Sequence, residues 1–281
     1  MIRLLTAALA GCAVLLVTAC SAPDPQEVRD SLAEITDTES PAPSTETSEL
    51  DQRPEIAPLG CTDYLVITAR GTGESPRDQL LTPVARAISN ARPDAVQILD
   101  IDYPADTNVK QGATRGADLV IRTLNQQAVF CPKQLFILLG YSQGALIIGD
   151  ALSEPQARMV GTAVGHLSQL ASDRIIAIVF YGNPRFEGDE PYNYGTFDRS
   201  RNGLLPRPEH ALDRYADRIR DFCVARDFIC QSSLNVDDQS GHREYRDNGM
   251  RQDGSAFVIA KLKPAADHSP GEQTPAPTPA R

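Results

Sequence analysis

The chain has 281 residues, 41% of them hydrophobic, with a formal net charge of −10 at pH 7, which is ample apolar material for one core. The negative balance excludes the basic footprint on which phosphate-backbone binding depends, so no nucleic-acid partner is expected. Four histidines and six cysteines leave a short list of candidates for acid–base, nucleophilic or metal chemistry.

In chain order, Arg3 precedes an apolar run from Leu4 to Val17 that ends in Val17-Thr18-Ala19-Cys20. A positive charge, an apolar stretch and small residues make an export signal. The end of the run is similar to the lipobox of bacterial lipoproteins, which implies loss of residues 1–19 and lipidation of Cys20. An ordinary secretory signal cut near Ala22 is the alternative. Residues 20–59 are rich in Pro, Ser and Thr, and Ser21 to Leu59 carry ten carboxylates against Arg29 and Arg53. That composition predicts a solvated tether with a mean span of about 35 Å, long enough to hold a domain off a membrane. Most of the net charge therefore lies in the tether, and the body of the chain is not strongly acidic. An anchor of two or more acyl chains would make membrane attachment stable.

Residues 60–262 form the one candidate domain. Short apolar runs predict strands over Tyr64 to Ala69, Ala95 to Asp100, Leu135 to Leu139, Ile175 to Phe180 and Arg218 to Phe222. Helical spacing of apolar residues predicts helices over Leu80 to Asn90, Val109 to Gln127, Ala145 to Ala151, Met159 to Ala171 and from Tyr245 onward. Strands alternating with helices imply an α/β fold with a central parallel sheet flanked by helices on both faces. No repeat or second domain is evident, and residues 263–281 read as a disordered Pro-rich tail.

The most informative stretch is LFILLGYSQGALIIG, Leu135 to Gly149. It sets Ser142 in G-x-S-x-G between a strand and a helix, the context in which a sharp turn presents a serine hydroxyl above the carboxyl edge of a sheet. The helix that begins there aims unpaired N–H groups at developing negative charge. A serine becomes nucleophilic only when a base takes its proton and an acid orients that base. The only bases available are His166, His210, His242 and His268. His268 lies in the Pro-rich tail, and His166 follows Ser142 too closely to leave room for another strand and its acid. His210 and His242 remain.

The segment CVARDFIC, in which Cys223 and Cys230 bracket Asp227, is followed by GHREY with His242 and Tyr245. Together with GYSQG at Gly140 to Gly144, Cys131-Pro132 ahead of the strand, RGTGE at Arg70 to Glu74 and FYGNPR at Phe180 to Arg185, this resembles the cutinase family over about Cys61 to Ile259. The resemblance implies a small lidless α/β-hydrolase with Ser142 as nucleophile, His242 as base and Asp227 as the acid that orients it. It also implies an oxyanion hole made by the N–H groups of Gln143 and Thr72, to which the Thr72 hydroxyl adds a donor, and disulfides joining Cys61 to Cys131 and Cys223 to Cys230. With Cys12 removed in the signal and Cys20 assigned to lipid, four thiols pair evenly, as an exported protein allows. Cys223 and Cys230 lack metal-ligand spacing, so no metal is expected, and no cofactor.

The reaction expected is hydrolysis of an acyl ester or lipid by a monomeric enzyme on the outer face of the membrane. The polar stretch QSSLNVDDQSG before His242 weighs against cutin and towards small esters or envelope lipids. Two alternatives stay open. One is an acyltransferase or glycolipid (mycolyl ester) hydrolase built on the same serine; the other is a noncatalytic surface lipoprotein, whose expected mark, a missing triad member, is absent.

Overall fold

The computed structural model describes residues 56–158, 165–232 and 240–264. The expected signal, Cys20, residues 20–55 of the expected tether and residues 265–281 of the expected tail (263–281) lie outside them, as do residues 233–239 of the polar stretch before His242. Six strands, Tyr64–Ala69 (β1), Val96–Asp100 (β2), Leu135–Tyr141 (β3), Ile175–Tyr181 (β4), Asn193–Gly195 (β5) and Ile219–Cys223 (β6), form one sheet in the order β2-β1-β3-β4-β6-β5. Every pairing is parallel.

Side chains alternate across that sheet because successive Cβ atoms point to opposite faces. Leu65 and Ile67 of β1, Phe136 and Leu138 of β3 and Ile178 and Phe180 of β4 enter one core. Tyr64, Val66, Ile137, Leu139, Ala177 and Val179 enter the other. The first core is covered by Val109–Phe130 (α2) and Gln143–Leu152 (α3), and the second by Thr82–Ala91 (α1) and Met250–Ile259 (α7). In α2 the buried residues Val109, Ala113, Ala117, Val120, Ile121 and Leu124 recur at helical spacing and make one apolar stripe. Asn108 caps this helix by accepting the Gln111 N–H. Among the described residues no helix is long and apolar enough to cross a membrane.

Winding reverses between β1 and β3: α1 leads from β1 outward to β2, and α2 carries the chain back past β1 to β3. In open parallel sheets such a reversal leaves a crevice at the carboxyl ends of the two strands. Here those ends run into Arg70 to Thr72 and into Ser142.

The structure departs from the sequence expectation at several elements. Of the helix expected over Met159 to Ala171, the described part from residue 165 on holds a single turn, Gln169–Ser172 (α4), which Ser168 caps by accepting the Ala171 N–H. Residues 165–168 are not helical, and 159–164 lie outside the described residues. The helix expected from Tyr245 begins only at Met250, since Gly249 at φ 87° breaks it from the 3-10 turn Glu244–Arg246. The edge strand β5 was not expected; its three half-buried or exposed residues carry no apolar alternation. Two single-turn helices, Phe228–Gln231 (α5) and Ser240–Arg243 (α6), are likewise too short to show a period. The disulfides are Cys61–Cys131 and Cys223–Cys230.

Candidate active site

At the end of β3 the chain turns into α3 through Ser142, which takes φ 54° and ψ −121°. A non-glycine residue at positive φ costs roughly 1–2 kcal/mol, and the surroundings hold it there. The Ser142 N–H donates to Tyr181 O at 2.9 Å, and Ser142 O accepts from Ala145 and Leu146. The flanking glycines are obligatory for this turn. A Cβ on Gly144 would lie 1.8 Å from Ala69 O, and one on Gly140 would lie 2.6 Å from Ala145 Cα.

Two further segments meet this turn. After β6, Asp227 caps α5 by accepting the Ile229 N–H at 2.9 Å through Oδ1, and the Cys223–Cys230 disulfide closes the loop around it. His242 follows on α6. Its Nε2 lies 2.9 Å from Ser142 Oγ, and its Nδ1 lies 2.9 Å and 3.0 Å from the two oxygens of Asp227. The Asp227 side chain is fully buried, whereas that of His242 is 14% exposed.

Two tyrosines hold this array, and neither was assigned a task from sequence. The Tyr245 hydroxyl donates to Asp227 Oδ2 at 2.6 Å and accepts the Val224 N–H at 3.3 Å. Tyr141 stacks on the His242 ring with centroids 5.0 Å apart and donates to His242 O at 2.8 Å. Burial first, and then the charge of Asp227, push both phenols well above the ordinary tyrosine range, so each remains a protonated donor. Gly182, at φ 54°, lies against the pair from the end of β4; a Cβ there would sit 2.7 Å from His242 Cε1 and 2.8 Å from Asp227 Oδ2. FYGNPR contains this glycine, so the sequence marks the place without its purpose.

Gln143 opens α3, and its N–H is among the first-turn donors that the helix itself cannot satisfy. Thr72 stands on the adjoining turn after β1. Its hydroxyl, expected to add a hydrogen bond at the oxyanion site, donates to Gln143 Oε1 at 2.9 Å and so ties the two segments together. The remaining histidines stay apart from this cluster. His210 is 74% exposed and pairs with Asp213 at 3.2 Å, His166 is exposed, and His268 lies outside the described residues.

A short buried array of hydroxyl, imidazole and carboxylate can shuttle one proton while the hydroxyl oxygen attacks a carbonyl. Comparison with known proteins agrees with that chemistry. Residues 60–262 match the family described as Cutinase. A cutinase of Kineococcus radiotolerans is 31% identical over 208 residues, covering 73% of this chain and 63% of that protein, so this chain spans less than two thirds of that relative's length. Acetylxylan esterase 2 of Talaromyces purpureogenus is 28% identical over 214 residues, covering 72% of this chain and 88% of its own. The catalytic core domain of an acetyl xylan esterase from Trichoderma reesei superposes with a TM-score of 0.63 at 28% identity, over 72% of this chain and all of that one. The chain thus belongs to the cutinase family.

Proposed function

We propose that the protein is an exported, membrane-anchored serine esterase that cleaves short acyl esters through an acyl-enzyme on Ser142. The observation that carries this reading is the unbroken run from Ser142 Oγ through both nitrogens of His242 to Asp227 at 2.9–3.0 Å. His242 Nε2 takes the hydroxyl proton as Oγ bonds to the ester carbonyl carbon. The carbonyl electron pair moves to oxygen, where the N–H groups of Gln143 and Thr72 receive it. Collapse of this intermediate expels the alcohol, which takes the proton from His242. Water then repeats the sequence on the acyl-enzyme, returning the acid and free Ser142. Asp227, against Nδ1, orients the ring and stabilises the imidazolium.

Relatives named acetylxylan esterases support a preference for small acyl groups, as does the polar sequence ahead of His242. Anchoring through Cys20 rests on the sequence Val17 to Cys20 alone. An acyltransferase would use the same Ser142 acyl-enzyme with a sugar hydroxyl in place of water, so trehalose-like acceptors should be included in the assay.

The test is labelling with a fluorophosphonate and hydrolysis of p-nitrophenyl esters of increasing chain length. Ser142→Ala and His242→Ala should each abolish both, by several powers of ten in turnover, whereas His210→Ala should match the wild type. A Ser142→Ala protein keeping about a tenth of wild-type activity would refute the nucleophile, since loss of a triad member costs far more than that.

A further inference from the structure

In RGTGE at Arg70 to Glu74, the acid that follows Thr72 is placed unusually. The Glu74 side chain is only 8% exposed, yet it is ionically paired: Oε1 lies 2.6 Å from Arg246 Nη2. The same oxygen accepts the Leu80 N–H at 2.8 Å, and Oε2 accepts the Gly71 N–H at 2.9 Å. The Glu74 N–H in turn donates to Gly71 O at 3.1 Å, and Gly73 has φ 73°. A hydrogen bond from the fourth residue to the first, with positive φ at the third, is a type II turn. Thr72 occupies its second position, whose N–H takes no part in the turn's own hydrogen bond.

The turn is therefore closed twice, once by backbone and once by the Glu74 carboxylate. Gly71 packs so closely on Tyr141 and Ser142 that a Cβ would come within 2.7 Å of the Tyr141 ring. Arg246, at the far end of the ion pair, stands four residues after His242, next to Tyr245.

We propose that Glu74 is a positioning residue for the oxyanion hole, holding the Thr72 N–H in register with Ser142 and, through Arg246, with the segment that carries His242. The proposal rests on reading Thr72 as an oxyanion donor. A donor held in place acts on the transition state and little on the ground state, so its loosening lowers kcat and spares KM.

The test measures p-nitrophenyl acetate hydrolysis by the full-length protein, with melting temperature recorded for each variant. Glu74→Gln should lower kcat about ten- to a hundredfold, within the range for loss of one oxyanion donor, at nearly unchanged KM. Arg246→Met leaves the Gly71 and Leu80 hydrogen bonds in place and should lose about three- to tenfold, a misplacement well short of 1 Å. Arg246→Lys should recover most of that loss. Thr72→Pro suits the second position of a type II turn but has no N–H, so it tests the underlying reading by itself. A loss of about a hundredfold or more supports that reading, and wild-type turnover would overturn it and the proposal together. Where Thr72→Pro is inactive, a folded Glu74→Gln enzyme with wild-type kcat, or one altered only in KM or melting temperature, would overturn the positioning role alone. Should Glu74→Gln not fold, Arg246→Met decides, and no kcat loss or no rescue by lysine would refute the strap.

Discussion

Replacing Gly182 by alanine should disable the enzyme without unfolding it. The added Cβ would stand 2.7 Å from His242 Cε1, 2.8 Å from Asp227 Oδ2 and 2.9 Å from His242 Nδ1, against a normal carbon contact of about 3.5–4.0 Å. Backbone at Gly182 is fixed by its N–H donating to Phe222 O at 3.0 Å, so the imidazole and carboxylate must retreat, by about 0.7–1 Å. A displacement of that size at the reacting groups costs on the order of a hundredfold in rate. The φ of 54° adds roughly 1–2 kcal/mol of backbone strain in any L-residue. For a domain of about 200 residues that lowers the melting temperature by about 2–8 °C, well short of unfolding at room temperature. The assay is steady-state hydrolysis of p-nitrophenyl acetate, with fluorophosphonate titration to count competent sites and a thermal melt to verify folding. We expect kcat to fall about a hundredfold with KM nearly unchanged. A folded Gly182→Ala protein within about threefold of wild-type turnover would refute the argument, because it would mean that the His242–Asp227 pair tolerates a displacement that should uncouple it.

Tyr245→Phe removes the hydroxyl that donates to Asp227 Oδ2 at 2.6 Å and frees the carboxylate to shift beneath His242. Turnover of p-nitrophenyl acetate should fall about three- to tenfold with KM nearly unchanged, and wild-type kcat would assign Tyr245 to packing alone. Replacing Cys223 and Cys230 together by serine should lower turnover by up to about a hundredfold before it unfolds the protein, since their disulfide closes the loop that carries Asp227; full activity would leave the bond a structural staple. Asp221 is wholly enclosed, and burial pushes its carboxyl up from 3.8 to about 7 against the opposing hydrogen bond from Asn183. Its neutral form is the one the fold favours, so its contribution to stability is full below pH 3.8, declines as pH rises towards about 7 and is gone above that. Urea unfolding of the wild type should show a loss of at most about 4 kcal/mol across that window, and Asp221→Asn should lack it; parallel pH profiles would contradict the assignment.

Much of this protein was legible in its sequence because its signals are local. The strands β1, β3 and β4 are continuous apolar runs buried on both faces, and α2 repeats its apolar residues at a single period, so their positions follow from composition over a few residues. The turn at Ser142 was legible for the same reason: strand, two glycines, serine and helix are contiguous. Chain order and the cysteine-bracketed acid then set His242 above His210. What only the tertiary structure decided depends on residues far apart in sequence. Thr72 donates to Gln143 across 71 positions, Glu74 reaches Arg246 across 172, and Tyr245 lies 18 from the Asp227 it serves. Gly182 matters because the end of β4 passes under a histidine 60 residues later, which no pattern around the glycine itself records. Elements of three or four residues, β5, α4, α5 and α6, also escaped, since a period cannot appear within one turn and their conformations follow from caps, a disulfide and a neighbouring strand. Sequence thus determined which groups could do the chemistry, and packing across the sheet edge decided how they are held, because hydrogen bonds and steric contact depend on distance in space while composition and periodicity report only distance along the chain.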